Sequence, residues 1–261
     1  MKLKIACVQM DIAFGKPDRN YETAEKLIQA SIHEQPDLIV LPELWTTGYD
    51  LTRLDDIADQ GANKTVKFLK QLALEYGVHL VGGSVANQTE KGVKNTLLII
   101  NKKGELIHQY SKLHLFKLMD EHLYLEAGTE KGLFEIENLP FAGMICYDIR
   151  FPEWVRTHTA EGAKALFVVA EWPIARLSHW RALLIARAIE NQCYVIACNR
   201  SGKDPNNQFA GHSMIIDPWG EVISEAGENE EILTGVIDLD LVTKVRKQIP
   251  IFTDRKPEFY K

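Results

Sequence analysis

Residues 37–45 read DLIVLPELW, and this stretch decides the fold. A short, uniformly apolar run such as 38–41 suits a strand buried on both faces. Pro42 ends it and disfavours helix for the residue before it. The text returns at 165–172 as ALFVVAEW, again an apolar strand that closes on Glu-Trp. The echo hints at two related halves, although eight residues do not establish a repeat.

Outward from these two runs the pattern alternates. Strands are expected at 2–10, 79–84, 95–100, 105–110, 141–145, 194–198, 213–217 and 233–238, and amphipathic helices at 20–33, 65–76 and about 178–191. Lys102-Lys103-Gly104 and Pro218-Trp219-Gly220 read as turns, and Pro152 sits where a helix begins. With no linker and no low-complexity segment, the economical reading is one α/β domain over residues 1–261 with a layered sheet core.

Composition excludes several classes. The 261 residues carry 30 Lys and Arg against 36 Asp and Glu, a formal charge of −6, with 46% hydrophobic and 25% charged residues. That balance gives no basic face for nucleic acid and no source of attraction to a membrane surface. No apolar run approaches the roughly 18 residues of a membrane span. The opening MKLKIAC faintly resembles a lipoprotein signal, but Gln9 and Asp11 interrupt the apolar stretch, so the chain is expected to start at its first strand. Cys7, Cys146, Cys193 and Cys198 are too few and too scattered for a disulfide framework. A cytoplasmic enzyme or binding protein remains.

The glycine-rich nucleotide loops, the G-x-S-x-G elbow, H-E-x-x-H and C-x-x-C are all missing, so nucleotide, serine-hydrolase and zinc readings lose their support. What remains is a set of polar residues at strand ends, where α/β sheets gather their sites. Glu43 directly follows a buried strand beside Trp45, and is either functional or a capping or salt-bridging carboxylate. Lys112 is one cation inside YSKLHLF, and would ordinarily be a solvated surface lysine. Cys146, in GMICYDIRFPE, ends a strand and turns into a helix whose N-terminus would lower its pKa; otherwise it is a buried apolar thiol, as Cys7, Cys193 and Cys198 are read within strands. Together the three fit one mechanism: a thiol nucleophile, a base for its proton, and a positive group for the tetrahedral oxyanion.

At these residues the sequence resembles the nitrilase, or carbon–nitrogen hydrolase, family. Its Glu-Lys-Cys pattern stands here as LPELW at Glu43, SKLHLF at Lys112 and CYDIRFPE at Cys146, and the likeness runs from Lys2 to near Tyr260. The resemblance implies a four-layer α-β-β-α sandwich, usually a homodimer packed helix layer to helix layer. It also implies attack by Cys146 on an amide or nitrile to give a thioester, with no cofactor and no metal. It assigns a second glutamate to Glu121, seven residues before Gly128, with Glu126 as the competing choice, and an oxyanion hole to Lys112 and the Tyr147 backbone N–H. The segments at 172–202, 211–223 and 245–252 are similar to the omega-amidase branch, which implies 2-oxoglutaramate and 2-oxosuccinamate as substrates. A carboxylate at the far end of such a substrate suits an Arg fork. Arg150 and Arg176 are the candidates, with Tyr49 and Trp172 as pocket walls; the alternative for Arg150 is a pair with Glu153, and Asn199 and Arg200 stand near the same mouth.

Other readings stay open. One keeps the fold and changes the substrate to an N-carbamoyl amino acid, a nitrile or another small amide. A second is a non-catalytic assembly protein. A third is a Cys–His protease with His158, His179 or His212 as base. Residues 227–231 are expected to form a solvated loop, and the tail, about 245–261, to serve subunit packing.

Overall fold

In the computed structural model, which describes residues 1–260, the run 38–41 is at most 1% exposed and lies inside a sheet, not at its edge. Strands β1 (Lys2–Gln9), β2 (Leu38–Val40), β3 (Asp59–Gln60), β4 (His79–Thr89), β5 (Gly92–Ile100) and β6 (Leu106–Ser111) build the first sheet. Strands β7 (Leu133–Ile136), β8 (Leu139–Ile145), β9 (Ala165–Ala170), β10 (Tyr194–Asn199), β11 (Met214–Ile216) and β12 (Val222–Glu225) build the second. The chain then returns to close the first sheet with β13 (Glu231–Asp238) beside β1.

The two runs of the echo hold equivalent places. In the order β13-β1-β2-β4-β5-β6, β2 is parallel to both neighbours; in β12-β11-β10-β9-β8-β7, so is β9. Both strands therefore end on the same kind of sheet rim, where loops converge.

Side chains alternate across β1. Leu3, Ile5 and Cys7 face the second sheet, whereas Ala6 and Val8 pack against helices Pro17–Ser31 and Asn63–Tyr76 through Ala24, Ile28, Leu69 and Leu72. Helices Pro152–Ala160 and Leu177–Asn191 cover the second sheet with Val155, Trp180, Leu184 and Ala188. The result is an α-β-β-α sandwich. Pro152 opens its helix, where a missing N–H costs nothing.

Several sequence expectations need amendment. Cys193 is not within a strand but in the turn before β10; all four cysteines are free and buried. The short strands β3, β7 and β12 are additions, as is the helix Leu239–Gln248, which buries Leu239, Val242 and Val245 on one face. Residues 227–230 form an exposed loop, and Glu231 already begins β13. The start of the tail is anchored on its own chain, where Arg246 Nη2 donates to Ala163 O at 2.7 Å and Gln192 Nε2 to Ile249 O at 2.8 Å, which leaves the expected subunit packing untouched. Phe259 and Tyr260 stay exposed, and Lys261 lies outside the described residues.

Candidate active site

Glu43, Lys112 and Cys146 each follow directly on a strand or its extension, and the two sheets bring them together. Glu43 leaves β2 after Pro42. Gly83, at φ +64°, lets the bulged β4 pass close to it, since a Cβ there would meet Pro42 O at 2.3 Å. Lys112 follows β6, and its carbonyl accepts from Gly128 N at 2.8 Å. Gly128 must be glycine because an added Cβ would stand 2.0 Å from Ser111 O.

The Lys112 side chain is wholly buried and reaches two carboxylates, Glu43 Oε1 at 2.8 Å and Glu121 Oε1 at 2.6 Å. Burial alone would lower its pKa, but Glu121 and Glu43 more than offset that and hold the ammonium charged. Glu43 Oε1 also accepts from Asn95 Nδ2 at 2.8 Å and faces the Tyr49 hydroxyl at 3.1 Å, while Oε2 accepts from Glu171 N at 2.8 Å. Glu121 Oε2 accepts from Phe116 N at 2.6 Å. Burial raises the Glu121 pKa, against the lowering effect of Lys112. Glu126 is exposed and makes no ion pair with Lys112, whereas Glu121 does.

Cys146 follows β8 directly, at φ +44°, a left-handed conformation that costs a residue with a Cβ about 1–2 kcal/mol. Asp148 holds this turn: its Oδ2 accepts from Ile145 N at 3.1 Å and from the Tyr110 hydroxyl at 2.8 Å. Its Oδ1 accepts from His114 N at 3.1 Å and lies 2.8 Å from His114 Nδ1. Tyr147 stands in the first turn of the 3-10 helix Cys146–Arg150, where backbone N–H groups lack intrahelical acceptors. The expectation of a lowered thiol pKa is reversed. Burial pushes Cys146 well up, Glu43 adds to this, and Lys112 opposes it, so the resting group is a thiol.

Cys146 opens into a narrow cleft lined also by Phe116, Met119, Tyr147, Arg150, Glu171, Trp172, Pro173 and Arg176. The Arg150 guanidinium lies 4.8 Å from the Trp172 ring centroid, and that of Arg176 lies 5.5 Å from Phe116. Neither arginine has an ion-pair partner among the described residues; Arg150 does not pair with Glu153 and donates only weakly to His179 Nδ1, at 3.4 Å.

A family model described as carbon-nitrogen hydrolase matches residues 4–247. The chain belongs to the carbon–nitrogen hydrolase family. It is 53% identical over 260 residues, 100% of both chains, to the 2-oxoglutaramate amidase of Bacillus subtilis (strain 168). It is 34% identical to the omega-amidase YafV of Escherichia coli (strain K12), over 97% of this chain and 96% of that one. Among solved structures it resembles XC1258 from Xanthomonas campestris, a superfamily member with an arsenic adduct in its active site, with TM-score 0.92, 34% identity and 98% of each chain covered. Saccharomyces cerevisiae Nit3, of the nitrilase superfamily, gives TM-score 0.89 at 29% identity, over 96% of this chain and 95% of that one. The four-layer sandwich is the nitrilase fold.

In this carbon–nitrogen hydrolase some expected site residues fall elsewhere. Tyr49 is not among the cleft-lining residues; its hydroxyl donates to Glu121 Oε1 at 2.5 Å, behind Lys112. Asn199 and Arg200 also lie behind the cleft wall: Asn199 Oδ1 accepts from Trp172 N at 2.7 Å, and Arg200 pairs with Glu171 and Asp11. None of the three histidines contacts Cys146. His158 Nε2 is 3.0 Å from Gly132 N, His179 meets Arg150, and His212 pairs with Glu225. Residues that sequence reasoning passed over are Asn95, Asp148 and Glu171. Only Glu171 carried a signal, as the counterpart of Glu43 in the repeated Glu-Trp.

Proposed function

We propose that this hydrolase removes the terminal amide of small 2-oxo acid amides, 2-oxoglutaramate or 2-oxosuccinamate, through a thioester on Cys146. The observation that carries the reading is the cleft itself, with a thiol and two arginines free of carboxylate partners. A dicarboxylic monoamide offers what both need: a carboxamide for the thiol and a carboxylate for Arg150 or Arg176. The relationship to a 2-oxoglutaramate amidase supports the same substrate.

In this reading Glu43 takes the thiol proton as Cys146 Sγ attacks the amide carbon. The carbonyl π pair moves onto oxygen, and the oxyanion is met by Lys112 Nζ and the Tyr147 N–H. Collapse of the intermediate breaks the C–N bond, Glu43 passes its proton to nitrogen, and ammonia leaves. Water then gives a proton to Glu43 and adds to the thioester; the acid is released and the proton returns to sulfur. Lys112 stays charged throughout, held by Glu121. Trp172 forms a wall, and four reduced, buried thiols support a cytoplasmic setting. The reading includes a homodimer that uses the exposed Phe259 and Tyr260 of the tail.

The test is ammonia release from 2-oxoglutaramate, 2-oxosuccinamate, an N-carbamoyl amino acid, a nitrile and an unsubstituted aliphatic amide, with Cys146→Ala as control. The 2-oxo acid amides are expected to be fastest, and the variant inactive. A nitrile or carbamoyl compound turned over faster overturns the substrate assignment. Parental rates from Cys146→Ala overturn the mechanism.

A further inference from the structure

Glu171 follows β9, is fully buried and lines the cleft with Cys146. Its Oε2 accepts from Arg200 Nη1 at 2.9 Å, but its equally buried Oε1 has no hydrogen-bond partner among the described residues. An unpaired buried oxygen is costly, and beside a reacting centre it calls for an occupant.

The state of this carboxyl decides what the occupant is. Arg200 does not neutralise it fully, since the same guanidinium also serves Asp11 Oδ1 at 3.1 Å and Ile12 O at 2.8 Å. Around Glu171 stand Arg200 and Asp204 after β10, Glu43 and Tyr49 after β2, and Cys146, Arg150 and Arg176 along the cleft. Burial, with Glu43 adding and Arg200 opposing, pushes its pKa up to about 8, so near pH 7 the neutral acid dominates. Because Oε2 already accepts a charged N–H, the acid proton belongs on Oε1. At neutral pH the unpaired atom is a donor.

We propose that Glu171 is a specificity-determining residue whose Oε1–H donates to the 2-oxo oxygen of the substrate. This rests on the function proposed above. There the amide oxygen is met by Lys112 and Tyr147 and the carboxylate by the arginines, which leaves the 2-oxo oxygen as the acceptor without a donor. A neutral acid favours that oxygen over two hydrogens, as in glutaramate, and over an ammonium, as in glutamine, which has no lone pair to offer.

The test compares 2-oxoglutaramate with glutaramate and with glutamine as substrates. The ratios of their specificity constants are measured in the parent, Glu171→Met and Glu171→Gln, between pH 6 and 9.5. The parent is expected to favour the 2-oxo substrate over glutaramate about tenfold at pH 7, as one hydrogen bond allows. Glu171→Met brings that ratio close to one. Glu171→Gln keeps it, because Arg200 draws the amide oxygen and leaves the NH₂ as donor. In the parent the ratio of 2-oxoglutaramate to glutaramate falls as pH rises through about 8, where ionised Glu171 loses its donor; in Glu171→Gln it stays flat, and glutamine is compared at pH 7 alone because its own ammonium titrates at higher pH. An unchanged ratio in Glu171→Met, or identical flat pH profiles for parent and Glu171→Gln, overturns the proposal. If Glu171→Met misfolds, the pH comparison decides. Equal parental rates on 2-oxoglutaramate and glutaramate sink the inference alone; hydrolysis of neither sinks the substrate reading and the inference with it.

Discussion

Glu171 donates its backbone N–H to Glu43 Oε2 at 2.8 Å, so the carboxylate that ends β2 of one sheet is held by the peptide that ends β9 of the other. With Lys112 and Asn95 on Oε1, donors from both sheets fix the carboxylate in place. A base immobilised before substrate arrives has no reorientation left to perform during the reaction. The relationship also makes the sandwich itself part of the site, because separating the sheets would release Glu43.

Glu43→Gln therefore has two expected effects. It keeps the side-chain shape but removes the proton acceptor, and kcat is expected to fall by about 10²–10⁴-fold. Its NH₂ must also face a donor, either Glu171 N–H or the Lys112 and Asn95 side, at a cost of about 1–3 kcal/mol. Ammonia-release assays and chemical denaturation read the two separately. A variant with unchanged kcat removes Glu43 from the role of base.

Lys112→Met leaves Glu43 and Glu121 buried together without their cation. Such loss of one partner is expected to destabilise the fold by about 3–5 kcal/mol at pH 8. The pH dependence has a definite sign. Burial already raises the Glu121 pKa, and removal of Lys112, which lowers it, raises it further. A carboxyl with a raised folded-state pKa binds more protons folded than unfolded, so its stability contribution is lost as pH rises from the unfolded pKa through the folded one. The deficit relative to the parent is expected to shrink between pH 8 and pH 5. Urea unfolding at both values checks this, and a constant deficit contradicts it.

The legible part of this molecule was the part with a strong local period or a distinctive spacing. The apolar runs at 38–41 and 165–170 gave the two sheets, and LPEL, SKLHLF and CYDIRFPE gave residues that the fold assembles. The contacts of the Tyr49 hydroxyl with Glu43 and Glu121 are not legible in sequence, because they join residues from three separate segments. The Cys146 thiol was expected to be lowered because a helix start is visible in sequence, whereas its burial and the nearness of Glu43 are products of tertiary packing. Asn95 escaped notice inside an apolar strand, where one polar residue reads as an ordinary face change.

The free enzyme is expected to alkylate slowly at neutral pH. Burial and Glu43 keep Cys146 protonated, so little thiolate is available to react in the free enzyme. Iodoacetamide labelling followed by intact-mass measurement should accelerate from pH 7 and still be rising above pH 9. A rate already level between pH 6 and 8 would identify a preformed thiolate and require another route for the proton.

Asp148 joins the turn at Cys146 to the segment that follows Lys112. One oxygen holds Ile145 N, just before Cys146, and the other holds His114 N, two residues beyond Lys112. Tyr110 strengthens the link, because its hydroxyl donates to Asp148 while accepting from Trp154 Nε1 at 3.1 Å. In Asp148→Asn either orientation of the amide turns an NH₂ toward a backbone N–H, so the turn at Cys146 must shift. Small displacements of this kind are expected to lower kcat about tenfold to a hundredfold while leaving KM within about threefold, because the cleft walls remain. The variant should also alter the alkylation rate of Cys146, a change that a loss of stability alone would not produce in folded protein. Parallel loss of kcat and KM, with unchanged alkylation, would return Asp148 to a purely structural role.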